Sequence, residues 1–216
     1  MRGPLYWIWG AGPKTPGAKA ELERIAGAPR GSMDQMWRDY RAGTTTHPPI
    51  SDLAVDAVSR LRQRVRSAPA PSLFFGAPSL REMSGGLLTR TRERGQLASK
   101  VVFEDHGFAG GNPSEVMLFF GRDAVSLRTL PRYRRWFEQL REGMTADGAI
   151  YLVHCEAAAD NCRLMRAISR MVGVPVYGAD AIQDVGNQAM EGQAFRVDGN
   201  QTRRVQSFPQ AVLHFD

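Results

Sequence analysis

Two side chains in this sequence have the types and the setting to do covalent chemistry together: His106 and, 49 positions later, Cys155. A thiol is a competent nucleophile only when a base lowers its pKa or removes its proton, and histidine is the usual partner. Each follows a short, mostly apolar run, residues 100–105 before His106 and residues 149–153 before Cys155. Runs of this kind read as strands, so the two side chains emerge side by side if the strands are neighbours. His154 also precedes Cys155, but alternation along a strand points it the other way. It is expected to be a packed core histidine and is the alternative base. Glu104 and Asp105 precede His106, and only one of them can share its face; either would orient the imidazole, and a solvated carboxylate is the plainer reading. The second cysteine, Cys162, opens a helical stretch and is expected to be packed.

The surrounding elements must hold this pair. Residues 72–75 form a short apolar run closed by Gly76, and a helical stretch with an awkward Gly85-Gly86 pair follows before the strand at 100–105. Residues 115–128 read as a β-hairpin turning at 121–123. Tyr133, Trp136, Phe137 and Leu140 recur at helical spacing up to Gly143, and Asp147-Gly148 is expected to turn the chain into the strand at 149–153. Leu164, Ala167, Ile168 and Met171 mark another helix, residues 174–177 a fourth strand, and residues 191–216 a final polar hairpin. Alternating strands and helices imply an α/β protein, a three-layer α/β/α sandwich with a mostly parallel sheet plus a small β-hairpin. Ligands collect beyond the carboxyl ends of such strands, where His106 and Cys155 fall. Residues 1–50, with an apolar run at 5–9, a Pro/Gly-rich stretch and a short helix near 33–40, read as an N-terminal extension packed on a domain spanning 51–216. That domain would begin with a helix at 51–66.

An apolar strand ending in His106-Gly107, then about fifty residues later a strand ending in Cys155, resembles the caspase-like cysteine peptidases: caspases, legumain, gingipains, separase and the self-cleaving domains of bacterial toxins. Asp105-His106-Gly107 matches the legumain-type members. The stretches 106–111, 150–159 and 174–179 also resemble bacterial caspase-like domains. The resemblance spans roughly residues 70–182 and implies a cysteine endopeptidase with His106 as base, Cys155 as nucleophile, and the backbone N–H groups of Gly107 and Cys155 facing the oxyanion. It implies no metal or organic cofactor, a protein or peptide substrate, and a bacterial effector or toxin role with an inhibitor or immunity protein as partner. Papain-like and peptidoglycan-cleaving hydrolases have the reverse order, cysteine first. Many caspase-like members carry a small residue where this chain has His154. Such peptidases select one residue before the scissile bond. Glu156, Asp160, Asp180 and Asp184 near the strand ends favour a basic one, while the arginine-rich surface argues the other way.

Composition narrows the classes. Hydrophobic residues are 43% and charged residues 23%, ordinary globular usage. No run approaches the ~20 apolar residues of a membrane span, and the start lacks the features of a cleavable signal. Synthesis in the cytoplasm is expected, with any export by a route that reads no such signal. Net charge is +6, and all the basic residues except Lys14, Lys19 and Lys100 are arginines spread along the chain. The densest run, Arg60, Arg62, Arg64 and Arg66, cannot form one helix face. Solvated surface is therefore preferred to nucleic-acid binding. Two cysteines are too few for a disulfide framework, and with His154 they lack the paired spacings of a zinc module. Two rival readings remain open: a catalytically inactive caspase-like module that binds proteins, and a basic nucleic-acid-binding domain.

Overall fold

The computed structural model describes residues 3–11, 14–32, 72–110, 115–181 and 192–205, together with the strand positions 183–184 and 189–190 and the single helical positions 35 and 38. The chain runs through β1 (Leu5–Gly10), α1 (Pro16–Ala26), β2 (Ser72–Ala77), α2 (Leu80–Arg94), β3 (Ala98–Glu104), β4 (Gly107–Ala109), β5 (Val116–Phe120) and β6 (Asp123–Ser126). It continues through a 3-10 turn (Leu130–Tyr133), α3 (Arg134–Glu142), β7 (Met144–Val153), α4 (Arg163–Val172), β8 (Val176–Ala179), β9 (Gln183–Asp184), β10 (Ala189–Met190), β11 (Ala194–Asp198) and β12 (Gln201–Val205).

Seven strands make one sheet in the order β12-β11-β8-β7-β3-β1-β2. The five from β8 to β2 are parallel, and the β11–β12 hairpin joins antiparallel to β8. The fold is thus α/β, with a mostly parallel sheet flanked by helices. A second sheet, β4-β5-β6, is antiparallel. It is larger than the expected hairpin at 115–128 because β4, directly after His106, adds a third strand.

The central strands are buried on both faces, as parallel strands must be. Tyr6, Ile8, Phe103 and Leu152 point into the main core with Met83 and Leu87 of α2, Phe137 of α3, and Leu164 and Ile168 of α4. Leu5, Trp7, Val102, Tyr151 and Val153 are buried on the opposite face. The small sheet shares Val116, Leu118 and Phe120 with the main core and packs Met117, Phe119 and Ala124 against Ala18, Leu22 and Ile25 of α1. Helix α1 starts where the Thr15 hydroxyl accepts from the Ala18 N–H (3.1 Å), with Pro16 in its first turn.

Two expectations change. The run at 5–9 is an interior strand between β3 and β2, so that part of the first fifty residues belongs to the centre of the sheet. Being followed by glycines and prolines hid a strand whose both faces are apolar. The expected boundary at residue 50 and the helix at 51–66 lie outside the described residues, as does most of the helix at 33–40. Asp147-Gly148 does not end a loop; it lies within β7, where the register against β3 shifts between Ala98 and Lys100. The bulge absorbs the polar pair without ending the strand.

Candidate active site

Strands β3 and β7 are parallel neighbours, and their last register pair is Glu104 with Val153. The Asp105 N–H still reaches the Val153 carbonyl at 3.4 Å. Two residues further on, both chains leave the sheet at its carboxyl edge, carrying His106 and Cys155, each half-buried. The two exits touch at Gly107. A Cβ built there would lie 2.9 Å from the Cys155 carbonyl carbon and would overlap its oxygen. Only glycine allows the two backbones to approach so closely.

The small sheet aims the His106 loop. The Phe119 N–H donates to the His106 carbonyl at 2.9 Å, which makes 106 and 119 a bonded pair. Alternation along an antiparallel ladder then turns the N–H groups of Gly107 and Ala109 away from β5. Ala109 uses its N–H on that side to bond the Glu156 carboxylate at 2.7 Å.

Asp105 holds this loop by its backbone. Its carboxylate accepts from the His106 N–H at 2.8 Å and from the Gly121 N–H at 2.6 Å, and pairs with the Lys14 ammonium at 3.1 Å. Gly121 has φ 63°, in the left-handed region, with Pro78 packed against its Cα. Asp105, expected as a candidate to orient the imidazole, therefore fixes the peptide around it. Glu104, the other candidate, lies on the opposite face, where it accepts from the Trp7 indole at 2.7 Å. Lys14 was not singled out by the sequence. It sits 91 positions from Asp105, and no local pattern links the two.

The segment after Cys155 is unusual in its backbone. Among the described residues, the non-glycine positions with left-handed φ are Glu156, Asn161 and Cys162, at 57°, 58° and 60°. Such conformations are strained for ordinary residues and gather at functional loops. Hydrogen bonds hold the segment in place. Glu156 donates its N–H to the Ala181 carbonyl (3.0 Å) and Ala158 to that of Ala179 (2.8 Å), which ties the loop to the end of β8. The buried Asp160 caps α4 through the Leu164 N–H at 2.9 Å, and Asp180 accepts from the Gln193 N–H at 2.7 Å. The expected acidic pocket residues Glu156, Asp160 and Asp180 thus all anchor backbone. The side chain of Asp184 lies outside the described residues.

The second histidine and cysteine are core residues. His154 is fully buried against Phe120, ring centroids 5.2 Å apart, and its Nε2 lies 2.7 Å from the Phe119 carbonyl. A carbonyl only accepts, so Nε2 carries the proton. Nδ1 is buried with no hydrogen-bond partner among the described residues, and burial pushes the imidazole pKa down to about 4. Cys162 is 1% exposed, and burial pushes its thiol up to about 11. His106 shows a gentler version: burial lowers its pKa, the Asp105 carboxylate opposes this, and Lys14 adds to it. The neutral form of the imidazole is thereby favoured.

A cavity of about 370 Å³ lies elsewhere, lined by Arg24, Glu115, Ser126, Arg128 and Arg163 among others, and includes neither His106 nor Cys155. Arg24 pairs there with Glu115 at 2.8 Å and with Glu21, which also binds Arg128. Among the described residues no group of three or more His, Cys, Asp or Glu side chains is arranged to hold a metal ion, and no helix is long and apolar enough to cross a membrane. No protein-family model and no curated protein matches the chain.

Proposed function

We propose that the chain is a cysteine endopeptidase of the caspase-like kind, with His106 as general base and Cys155 as nucleophile. The observation that supports this reading best is the meeting of two adjacent parallel strand ends, where the Gly107 backbone packs on that of Cys155. His106 takes the proton from the Cys155 sulfur, and the thiolate adds to the scissile carbonyl carbon. The displaced electron pair moves to the carbonyl oxygen, facing the N–H groups of Gly107 and Cys155. As the tetrahedral intermediate collapses, the C–N bond breaks and the imidazolium gives its proton to the leaving amine. Water, with His106 again as base, then hydrolyses the thioester and frees Cys155. The strained loop after Cys155 and its ties to β4 and β8 hold the backbone of this segment beside the sheet edge, which supports the reading.

The test is cleavage of a peptide library by the chain and by Cys155→Ala. Cleavage by the parent that falls to background in the variant supports the reading. Equal cleavage by both overturns it, and no cleavage by either favours the inactive binding module.

A further inference from the structure

We propose that Lys14, in the connection between β1 and α1, is a positioning residue for His106 that acts through Asp105. The inference rests on the peptidase reading above.

Lys14 is buried, and its ammonium makes three kinds of contact: to the Asp105 carboxylate at 3.1 Å, to the Gly121 carbonyl at 2.6 Å, and to the face of Phe119, 4.3 Å from the ring centroid. Each partner belongs to the frame of the His106 loop. Asp105 bonds the His106 N–H, the Gly121 N–H bonds Asp105, and the Phe119 N–H bonds the His106 carbonyl. His106 is therefore gripped at both its N–H and its carbonyl, by two groups that Lys14 touches directly. Gly10, at the end of β1, leaves the room for this: a Cβ there would overlap the Asp105 carboxylate and lie 2.8 Å from the Gly121 nitrogen.

A buried cation and a buried anion each need the other. Without Lys14, Asp105 keeps its two N–H donors but loses its counter-charge; without Asp105, the ammonium is left facing a carbonyl and a ring. The pair also sets the charge that His106 feels. Among the described residues, the charges that act on the imidazole are those of Asp105 and Lys14; His106 in turn acts on the buried His154, and the Cys155 backbone lies against Gly107. Asp105 favours the imidazolium and Lys14 disfavours it, so the two act on His106 in opposite directions while fixing its peptide.

This separates positioning by a charge pair from mere support. If Lys14 and Asp105 only filled space, removing either would loosen the loop and let water in, and the His106 titration would rise toward the ordinary imidazole value in both variants. A charge pair predicts opposite signs: the His106 midpoint rises in Lys14→Met, where Asp105 stands alone, and falls in Asp105→Asn, where Lys14 stands alone. The expected size is on the order of 0.5–1 pH unit each way. Lys14→Met/Asp105→Asn should return close to the parent.

The experiment is an NMR titration of the His106 imidazole in the full chain and the three variants, with the pH profile of Cys155 alkylation read on the same samples. Opposite shifts that cancel in the double variant, with alkylation profiles moving alongside, support the proposal. Shifts of the same sign, or no shift, overturn it. If a single variant does not fold, the double variant carries the test, because it leaves no orphan charge: a folded double variant with a parent-like His106 midpoint supports the pairing, and an unfolded one overturns it. The imidazole titration needs no substrate, so a chain that cleaves nothing while showing these shifts defeats the peptidase reading and leaves the pairing in place.

Discussion

His106 and His154 are imidazoles at the same edge of the same sheet, and Cys155 and Cys162, neither in a disulfide, lie seven residues apart. One of each type is half-buried where two strand ends meet, and one of each is sealed in the core. The core pair has been made inert by its surroundings. His154 is held neutral by burial down to about pH 4, and Cys162 keeps its proton up to about pH 11. The edge pair sits on loops that the fold holds in unusual shapes: a glycine against a backbone, a strained segment after the cysteine, and a buried ion pair beneath the histidine. Residue type alone does not make a catalytic group. What differs is which side of a strand end the side chain leaves from and what meets it there.

The largest effect expected from breaking this contrast is on turnover. His106→Ala should lower peptide cleavage by about 10²- to 10⁴-fold, the usual contribution of a general base. His154→Gln keeps a donor for the Phe119 carbonyl and should leave cleavage at neutral pH within a few-fold. A steady-state assay of both variants checks this, and equal losses would remove the distinction between the two histidines.

The next effect is on stability against pH, and it belongs to the core histidine. Its pKa is about 4 in the folded chain against about 6.5 when unfolded. The unfolded state therefore takes up a proton first as the pH falls. This stability is fully present above pH 6.5 and is lost as the pH drops from 6.5 to 4, by about 3 kcal/mol in all. Denaturant melts at pH 7 and pH 5 should show a loss of roughly 2 kcal/mol from this group, absent in His154→Gln.

How much of this was legible beforehand follows from the range of the interactions. The apolar runs before His106 and Cys155 and the helical spacing of Phe137, Leu140, Leu164 and Ile168 are local patterns, and they gave the parallel strands, the helices and the edge at which both residues sit. Alternation alone places His154 in the core, where it packs against Phe120. Interactions between distant segments were not legible. Lys14 meets Asp105 across 91 positions, and Glu156 bonds Ala109 across 47, so the carboxylates read as an acidic pocket turned out to hold backbone. Strand β1 is hidden by the Gly10, Gly12 and Pro13 that follow its apolar run, and the strain at 156–162 is a property of backbone angles that side-chain types do not signal.

A third prediction sharpens the contact between the two loops. Gly107→Ala places a methyl against the Cys155 backbone, and overpacking of this kind destabilises by roughly 1–3 kcal/mol. Because the methyl presses on the loop that carries the sulfur, cleavage should fall by more than the loss of folded protein explains; thermal melts and active-site titration separate the two. The smallest effect belongs to the core thiol. Cys162→Ala removes one buried sulfur and should destabilise by about 1–2 kcal/mol, leaving the alkylation rate of Cys155 unchanged.

The most direct measurement is differential alkylation with iodoacetamide near neutral pH, read residue by residue by mass spectrometry. The account predicts that Cys155 is modified first, that Cys162 reacts only once the chain is unfolded, and that His106→Ala slows the modification of Cys155 while leaving Cys162 unchanged. Equal labelling of both thiols in the folded chain, or a Cys155 rate indifferent to His106→Ala, would contradict it.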